Sequence, residues 1–218
     1  EGEEEELLEA LRHEFLESTQ YGGEVPTFHA ITADELAELT NDKLSFLDTN
    51  VVMALTFDAG LTSKVASKVN QLPRTRPVIM MGMPGVLEKM ERMGNDAVYT
   101  SLMRAGFRYP TTFFVNMESA EAQAFSERFE KTYDIKATEF SIRGYNLMMY
   151  LGMLLKNYGL GFTYQLGNAI EGGVDAQYNF LPVLINDEER VKKSNIRYYE
   201  NTFVPIVQFN NYQLRQVN

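Results

Sequence analysis

Two short, almost continuously apolar runs with an amphipathic segment between them form the clearest pattern in the chain. The runs are residues 50–60, which begin Asn-Val-Val-Met-Ala-Leu, and residues 77–85, which read Pro-Val-Ile-Met-Met-Gly-Met-Pro-Gly. Strands buried on both faces of a sheet give unbroken apolar runs of this kind. The segment between them carries Leu61, Val65 and Val69 at spacings of four, as one face of a helix requires. The pattern predicts two parallel strands, buried on both faces, with a helix between them.

Similar patterns predict the remaining elements. Helices are expected over residues 3–19, 32–39, 60–72, 86–93, 120–133 and 140–158, and strands over 25–31, 97–102 and, as a pair joined at Asn210-Asn211, within 201–217. Residues Thr32-Ala-Asp-Glu35 have the form of a capping box, and the segment around Tyr109-Pro110 is expected to be irregular. The alternation of strand and helix through residue 133 predicts an α/β domain, followed by an appendage.

The ends of the two central strands are the first places to look for function. In open α/β sheets, ligands bind at the carboxyl ends of the parallel strands. Those ends are Thr56-Phe57-Asp58 and Met83-Pro84-Gly85. Asp58 either caps the following helix or faces a ligand amine, and Phe57 either packs in the core or forms an aromatic wall of a cleft. Met83 either fills core space or lines the pocket.

Composition narrows the function classes. Thirty acidic against twenty basic residues give a net charge of −10, which argues against nucleic acids and anionic membrane surfaces as partners. The chain has no Cys, so disulfides, thiolate metal sites and a Cys nucleophile are excluded. The two His residues, His13 and His29, have no metal-ligand or triad spacing, and no phosphate loop or nucleophile elbow occurs. These features predict a non-enzymatic protein without a metal or cofactor.

Targeting information is not readable from this chain. The longest apolar run, residues 147–155, is far shorter than the roughly 20 residues that a membrane-spanning helix needs. The chain begins Glu1-Gly-Glu-Glu-Glu-Glu6, with neither an initiator Met nor a secretory hydrophobic region. We therefore expect that the true amino terminus has been removed and that any targeting signal lies outside this sequence.

The order of the motifs resembles a known family. The chain has a strand ending Thr56-Phe-Asp58, a helix, Pro77-Val-Ile-Met-Met-Gly82, a Tyr99-Thr-Ser101 segment, a helix to Tyr133 and then Phe140-Ser-Ile-Arg-Gly-Tyr-Asn146. This order is similar to the later part of type I periplasmic binding proteins of the branched-chain amino acid receptor kind, the substrate-binding proteins of ABC transporters. The family's Gly-Tyr-Asp motif is here Gly144-Tyr145-Asn146, with Asn in place of Asp. Residues 201–208 resemble the family's closing strands.

This resemblance implies a fold and a function. The fold is a three-layer α/β lobe with a mostly parallel sheet flanked by helices, lacking most of the N-terminal lobe. Residues 1–138 and 196–218 would form the second lobe, and 139–195 a remnant of the first lobe and hinge. The implied function is binding of a small polar solute, such as an amino acid, in an inter-lobe cleft in the periplasm or envelope. A membrane permease or another envelope protein would be the partner, and the binding residues would be Thr56, Phe57, Asp58, Met83 and Pro84, with Tyr145 near the hinge.

A second interpretation stays open. The chain could keep the receptor fold while having lost solute binding, and act as a module that contacts other proteins, because a fold does not imply a function. The cleft loops show no obvious polar cluster, and the tail is rich in Tyr (Tyr164, Tyr178, Tyr198, Tyr199 and Tyr212). The apolar helix around residues 147–155 would lack its natural cover, and a homodimer through that helix is the expected result.

Overall fold

The chain divides into two compact units. The computed structural model describes residues 2–19, 27–93, 96–166, 174, 177–185, 192 and 194–218. The first unit is Glu1–Pro110 with Ile206–Asn218, and the second is Thr111–Pro205. The unit boundaries therefore lie at 110/111 and 205/206, while the expected lobe boundaries lie at 138/139 and 195/196. The assignment of these parts to receptor lobes stays a prediction.

Six α-helices and seven strands account for the regular structure of the described residues. In chain order they are α1 (Gly2–Thr19), β1 (Asn50–Ala54), α2 (Ala59–Val69), β2 (Val78–Gly82), α3 (Val86–Met93), α4 (Asp96–Arg104), β3 (Arg108–Pro110), α5 (Ala120–Tyr133), α6 (Glu139–Tyr158), β4 (Phe180–Leu184), β5 (Ile196–Asn201), β6 (Ile206–Asn210) and β7 (Gln213–Gln216). Three 3-10 helices, Leu36–Glu38, Asn41–Lys43 and Gly159–Gln165, complete the set.

The first unit is built on a five-stranded sheet in the order β1-β2-β3-β6-β7. Strands β1, β2 and β3 are parallel, β6 runs antiparallel to β3, and β7 runs antiparallel to β6. Four of the five strands therefore point the same way. The prediction of an α/β fold with a mostly parallel sheet flanked by helices is confirmed at this level.

The core of the first unit lies between the sheet and helices α2, α3 and α4. Met80 of β2, Ala66 of α2, Val86 of α3 and Leu102 of α4 are fully buried in one cluster. Strand β1 is at the edge of the sheet, and its alternate residues face outward, with Val51 50% exposed. The prediction that this strand is buried on both faces is therefore wrong, because the alternation of burial along it shows that only one of its faces is covered.

Most predicted helices and strands are confirmed, within a few residues at their ends. The helices predicted over 3–19, 60–72, 86–93, 120–133 and 140–158 are α1, α2, α3, α5 and α6, and the strands predicted from the two apolar runs are β1 and β2. The predicted terminal pair is β6 and β7. The turn between them contains Asn211 and Tyr212, both with positive φ, as the hairpin turns that suit twisted strands require.

Two predictions in the middle of the first unit are wrong. Residues 97–102, predicted as a strand, lie in helix α4, and the segment expected to be irregular contains β3. The β-branched and aromatic residues of this segment favoured a strand. Val98, Tyr99, Leu102 and Met103 all pack against the core, however, and that spacing fits one face of a helix.

The segment before β1 contains less regular structure than predicted. The strand expected over 25–31 is wrong for residues 27–31, which form no strand, and residues 25–26 lie outside the described part. The helix expected over 32–39 is a single 3-10 turn, Leu36–Glu38. The Glu35 carboxylate accepts hydrogen bonds from Thr32 N and Oγ1, at 3.2 and 2.9 Å, and these bonds lower the pKa of Glu35. Half of the predicted capping box is therefore present.

The second unit is organised around α6, which buries every fourth residue. Ile142, Asn146, Tyr150 and Leu154 are all buried along one face of this helix. The Tyr150 hydroxyl donates to the Leu166 carbonyl at 2.7 Å, and the Tyr150 ring lies 4.7 Å from the Tyr178 ring, centroid to centroid. Strands β4 and β5 form a separate antiparallel ribbon. The face opposite the buried one is apolar but exposed.

One close approach determines the packing at the centre of the first unit. The Phe107 ring, which is fully buried, lies against Gly82 at the end of β2. A Cβ atom at position 82 would lie 2.5 Å from Phe107 Cε2 and 2.8 Å from Cζ. A side chain at position 82 would therefore have to displace a fully buried ring in a closely packed core.

We predict that Gly82→Ala lowers the free energy of unfolding by about 1–3 kcal/mol, because the added methyl group overpacks the core against Phe107. Urea unfolding followed by circular dichroism measures the loss. Gly144→Ala is the control, since no atom lies within 4 Å of a Cβ there, and alanine is favoured in a helix by about 0.5–1 kcal/mol. Equal stability of Gly82→Ala and the parent chain would contradict the packing argument.

Candidate functional site

The predicted site residues of the first unit lie where β1 and β2 end, which we call the carboxyl edge of the sheet to distinguish it from the lateral edge formed by β1. Strands β1 and β2 are parallel and in register, with Ala54 opposite Gly82 at their carboxyl ends. The loops that follow, one with Thr56, Phe57 and Asp58 and the other with Met83 and Pro84, therefore leave the sheet side by side. This edge is where ligands bind in open α/β sheets.

Asp58 is the N-cap of α2. Its Oδ1 atom accepts a hydrogen bond from Leu61 N at 2.6 Å, and its carbonyl accepts from the Thr62 hydroxyl at 2.9 Å. The capping interpretation is thereby confirmed. The side chain is exposed, and its second carboxylate oxygen has no hydrogen-bond partner among the described residues. Asp58 can therefore cap the helix and still present an oxygen to a ligand.

Thr56 shapes this loop from within. The side chain is buried, and its Oγ1 accepts a hydrogen bond from Asp58 N at 3.1 Å. The bond folds the chain back on itself immediately before α2 and so helps to place the Asp58 carboxylate at the start of the helix. Thr56 is thus a residue that positions the loop.

Phe57 projects from the same loop and is paired with a lysine. Its ring is 53% exposed, so it is not a core residue. Lys89 of α3 donates from Nζ to the Phe57 carbonyl at 3.1 Å, and the same nitrogen lies 5.6 Å from the ring centroid, within cation–π range. An aromatic surface and an ammonium group therefore stand together at the strand ends.

Lys89 is a candidate site residue that sequence reasoning missed. It lies in the first half of α3, the helix that begins at the carboxyl end of β2. Side chains in a helix tilt toward its N-terminus, so a lysine at this position reaches back toward the strand ends. This rule was the signal by which Lys89 could have been identified from the sequence.

Met83 and Pro84 differ in their surroundings. Met83 is partly buried and packs against the core of the first unit, which favours the core-filling interpretation. Pro84 is exposed at the rim, and the next residue, Gly85, has φ +80°. The loop can turn directly into α3 because glycine tolerates this backbone conformation.

Tyr145 lies in the second unit, on α6. Its ring is 4.9 Å from the Phe125 ring of α5, centroid to centroid, and it lines a groove between these two helices. Sequence reasoning placed this residue near the hinge of a two-lobed receptor, and that position stays a prediction. Its observed ring neighbour is Phe125 of α5.

Asn146, the next residue along α6, has a structural role. The side chain is fully buried, and it makes two hydrogen bonds with the backbone of Val174, one as donor and one as acceptor. Asn146 Nδ2 donates to Val174 O at 2.8 Å, and Val174 N donates to Asn146 Oδ1 at 2.6 Å. An ionised carboxylate has no hydrogen to donate to the Val174 carbonyl, so an amide is the side chain that satisfies both backbone groups.

In the described ranges, no group of three or more His, Cys, Asp or Glu side chains is arranged to hold a metal ion. None of the helices in the same ranges combines the length and the apolar character needed to cross a membrane. At the strand edge, the available groups are a carboxylate oxygen, an ammonium and an aromatic ring, and these can bind a small polar molecule with an apolar portion.

We predict that Asn146→Asp lowers the free energy of unfolding by about 2–3 kcal/mol at pH 7, because it leaves the Val174 carbonyl without a donor and buries a charge. The folded protein should raise the pKa of the introduced carboxyl group. The penalty is therefore absent below its unfolded-state pKa, about 4, and grows as the pH rises above it.

Urea unfolding of the variant and the parent chain at pH 4 and pH 7 measures this difference. The exposed Asn157 lies on the same helix, and Asn157→Asp is the control, expected to change stability by less than about 0.5 kcal/mol. A penalty for Asn146→Asp that does not depend on pH would count against the proposed hydrogen-bond arrangement.

Comparisons with known proteins leave the family open. No family model, no curated protein and no solved structure matches the chain. The resemblance to type I periplasmic binding proteins therefore stays a prediction that rests on the order of the motifs. What the structure shows is the coarser result, a mixed α/β fold with a mostly parallel five-stranded sheet flanked by helices.

Proposed function

We propose that the chain is a non-enzymatic receptor that binds a small solute at the carboxyl edge of β1 and β2. One observation carries the proposal, namely that the loop after β1 presents an exposed aromatic ring and a carboxylate with a free oxygen, and that an ammonium group bonds to the same loop. These groups belong to Phe57, Asp58 and Lys89. Their chemistry suits an amino acid or a similar zwitterion.

Each group has a role in this proposal. Asp58 accepts hydrogen bonds from the ammonium of the solute, Lys89 pairs with its carboxylate, and the Phe57 ring covers its apolar portion. Pro84 forms the opposite rim, while Thr56 and Met83 support the loops from below. A location in the periplasm or cell envelope, and a membrane permease as the partner, belong to the same proposal because they come with the family resemblance.

The test is a ligand screen by thermal unfolding with amino acids, small peptides, sugars and nucleosides, because a ligand that binds the native state raises the melting temperature. We predict a concentration-dependent increase with the amino acid class. Asp58→Ser should weaken that ligand about tenfold or more while keeping the melting temperature of the free protein, since Ser also caps helices well.

Two further variants separate binding from stability. Asp58→Ala should lose both the ligand contact and the cap, which costs about 1 kcal/mol, whereas Ser119→Ala removes the cap of α5 and should leave binding unchanged. Unchanged affinity in Asp58→Ser would remove Asp58 from the site. A panel in which no compound stabilises the parent chain would overturn the solute-binding proposal.

A second candidate function is protein interaction through α6, and the exposed face of that helix favours it. Met148, which is 69% exposed, lies opposite the buried face, and Phe140, Leu147 and Leu155 are also exposed. A contiguous exposed apolar face marks a site where another protein can bind. We propose a second copy of the chain as the partner, because an antiparallel pair of α6 helices brings the acidic end at Glu139 toward the basic end at Lys156.

We predict that the parent chain forms dimers and that Met148→Glu shifts it toward the monomer, because the variant places a charge at the centre of the exposed face. Sedimentation velocity across a wide concentration range measures the change. Leu47→Glu, at a highly exposed apolar residue outside α6, is the control and should leave the dimer intact. A parent chain that stays monomeric throughout would contradict this candidate function.

A further inference from the structure

A groove of about 340 Å³ lies within the second unit. Six residues line it: Phe125, Arg128, Phe129, Thr132 and Tyr133 of α5, and Tyr145 of α6. The α5 residues recur at spacings of three and four, so they occupy one face of that helix. The volume is within the range of small-molecule sites, which begins at about 300 Å³.

The rings in this groove form one continuous row. Centroid distances are 4.8 Å from Tyr133 to Phe129, 5.6 Å from Phe129 to Phe125, and 4.9 Å from Phe125 to Tyr145. Phe125 is buried at the base, whereas Tyr133 at one end is 63% exposed. The base of the row is therefore held by the core, and its end is open to a ligand ring.

Arg128 supplies the single formal charge among the lining residues. Its Nε donates to the Ala124 carbonyl at 3.1 Å, which anchors the guanidinium along the helix. Its two terminal nitrogens have no hydrogen-bond partner among the described residues. The Thr132 hydroxyl donates to the Arg128 carbonyl at 2.8 Å and can still accept a hydrogen bond. The groove therefore offers an anchored cation with free donors.

The charge decides which ligands fit. Aromatic rings attract cations through their faces, but a guanidinium in the same groove opposes a second positive charge. A carboxylate, in contrast, matches the two terminal nitrogens in a bidentate pair. A planar ring stacks on Tyr133 and Phe129 or meets them edge to face, as aromatic pairs prefer.

We propose that this groove binds a small planar aromatic carboxylate, with its ring against Phe129 and Tyr133 and its carboxylate on Arg128. The site is separate from the strand edge around Asp58, because it lies in the second unit and shares no residue with that edge. It is also separate from the centre of the exposed α6 face at Met148, which does not line the groove.

Benzoate is the probe, and binding to the full chain is measured by saturation-transfer NMR and by calorimetry. Benzamide has the same shape without the charge, and cyclohexanecarboxylate has the charge without the aromatic ring. We predict that benzoate binds saturably and that each comparison compound binds at least about tenfold more weakly. Benzamide loses the charged hydrogen-bonded contact, and cyclohexanecarboxylate loses the contact between aromatic rings.

Variants locate the binding. Arg128→Gln should weaken benzoate about tenfold and remove the preference over benzamide, while Tyr133→Ala should weaken both compounds alike. Lys131→Gln is the matched control. Lys131 is also a cation of α5, but it does not line the groove. Asp58→Ser should leave benzoate binding unchanged, so failure of this proposal and failure of the solute-binding proposal can be told apart. Absence of saturable binding, or equal binding by Arg128→Gln and the parent chain, would overturn the proposal.

Discussion

The close contact between the Phe107 ring and Gly82 constrains the packing at the centre of the first unit. Phe107 joins α4 to β3, and its ring occupies the space that any side chain at position 82 would need. The junction between α4 and β3 is thereby packed directly against the end of β2. Because β2 ends at Gly82, the same contact fixes where the loop with Met83 and Pro84 leaves the sheet. The geometry of the candidate solute site therefore depends on a residue that has no side chain.

Much of this fold could be predicted from the sequence because its longer elements have a clear period. Helices α5 and α6 combine regular apolar spacing with caps at Ser119 and Thr138, and both signals point to the same bounds. Strand β3 has only three residues, too few for any period to show, and its place depends on pairing with β2 and β6. Helix α4 was mistaken for a strand because tertiary packing outweighed the preference of its β-branched and aromatic residues.

The candidate site was predictable to the extent that it follows from strand direction. Parallel register alone brings the loops with Asp58 and Pro84 to one edge, and residue type identifies Asp58 as a cap. Lys89 and Arg128 were not found, since their importance comes from neighbours on other turns or other elements. The role of Asn146 could not be predicted either, because it comes from its hydrogen bonds to Val174, 28 residues later in the chain.

Strand β1 forms a lateral edge of the sheet, to which a further strand can pair. One side of this strand pairs with β2, and the other side has no strand beside it in the described part of the chain. Natural edge strands are usually protected by Lys, Pro or a bulge, but Asn50–Ala54 contains neither residue and pairs with β2 without a break in register. With Val51 and Met53 exposed, this edge is a template on which a sixth strand from another chain could be added.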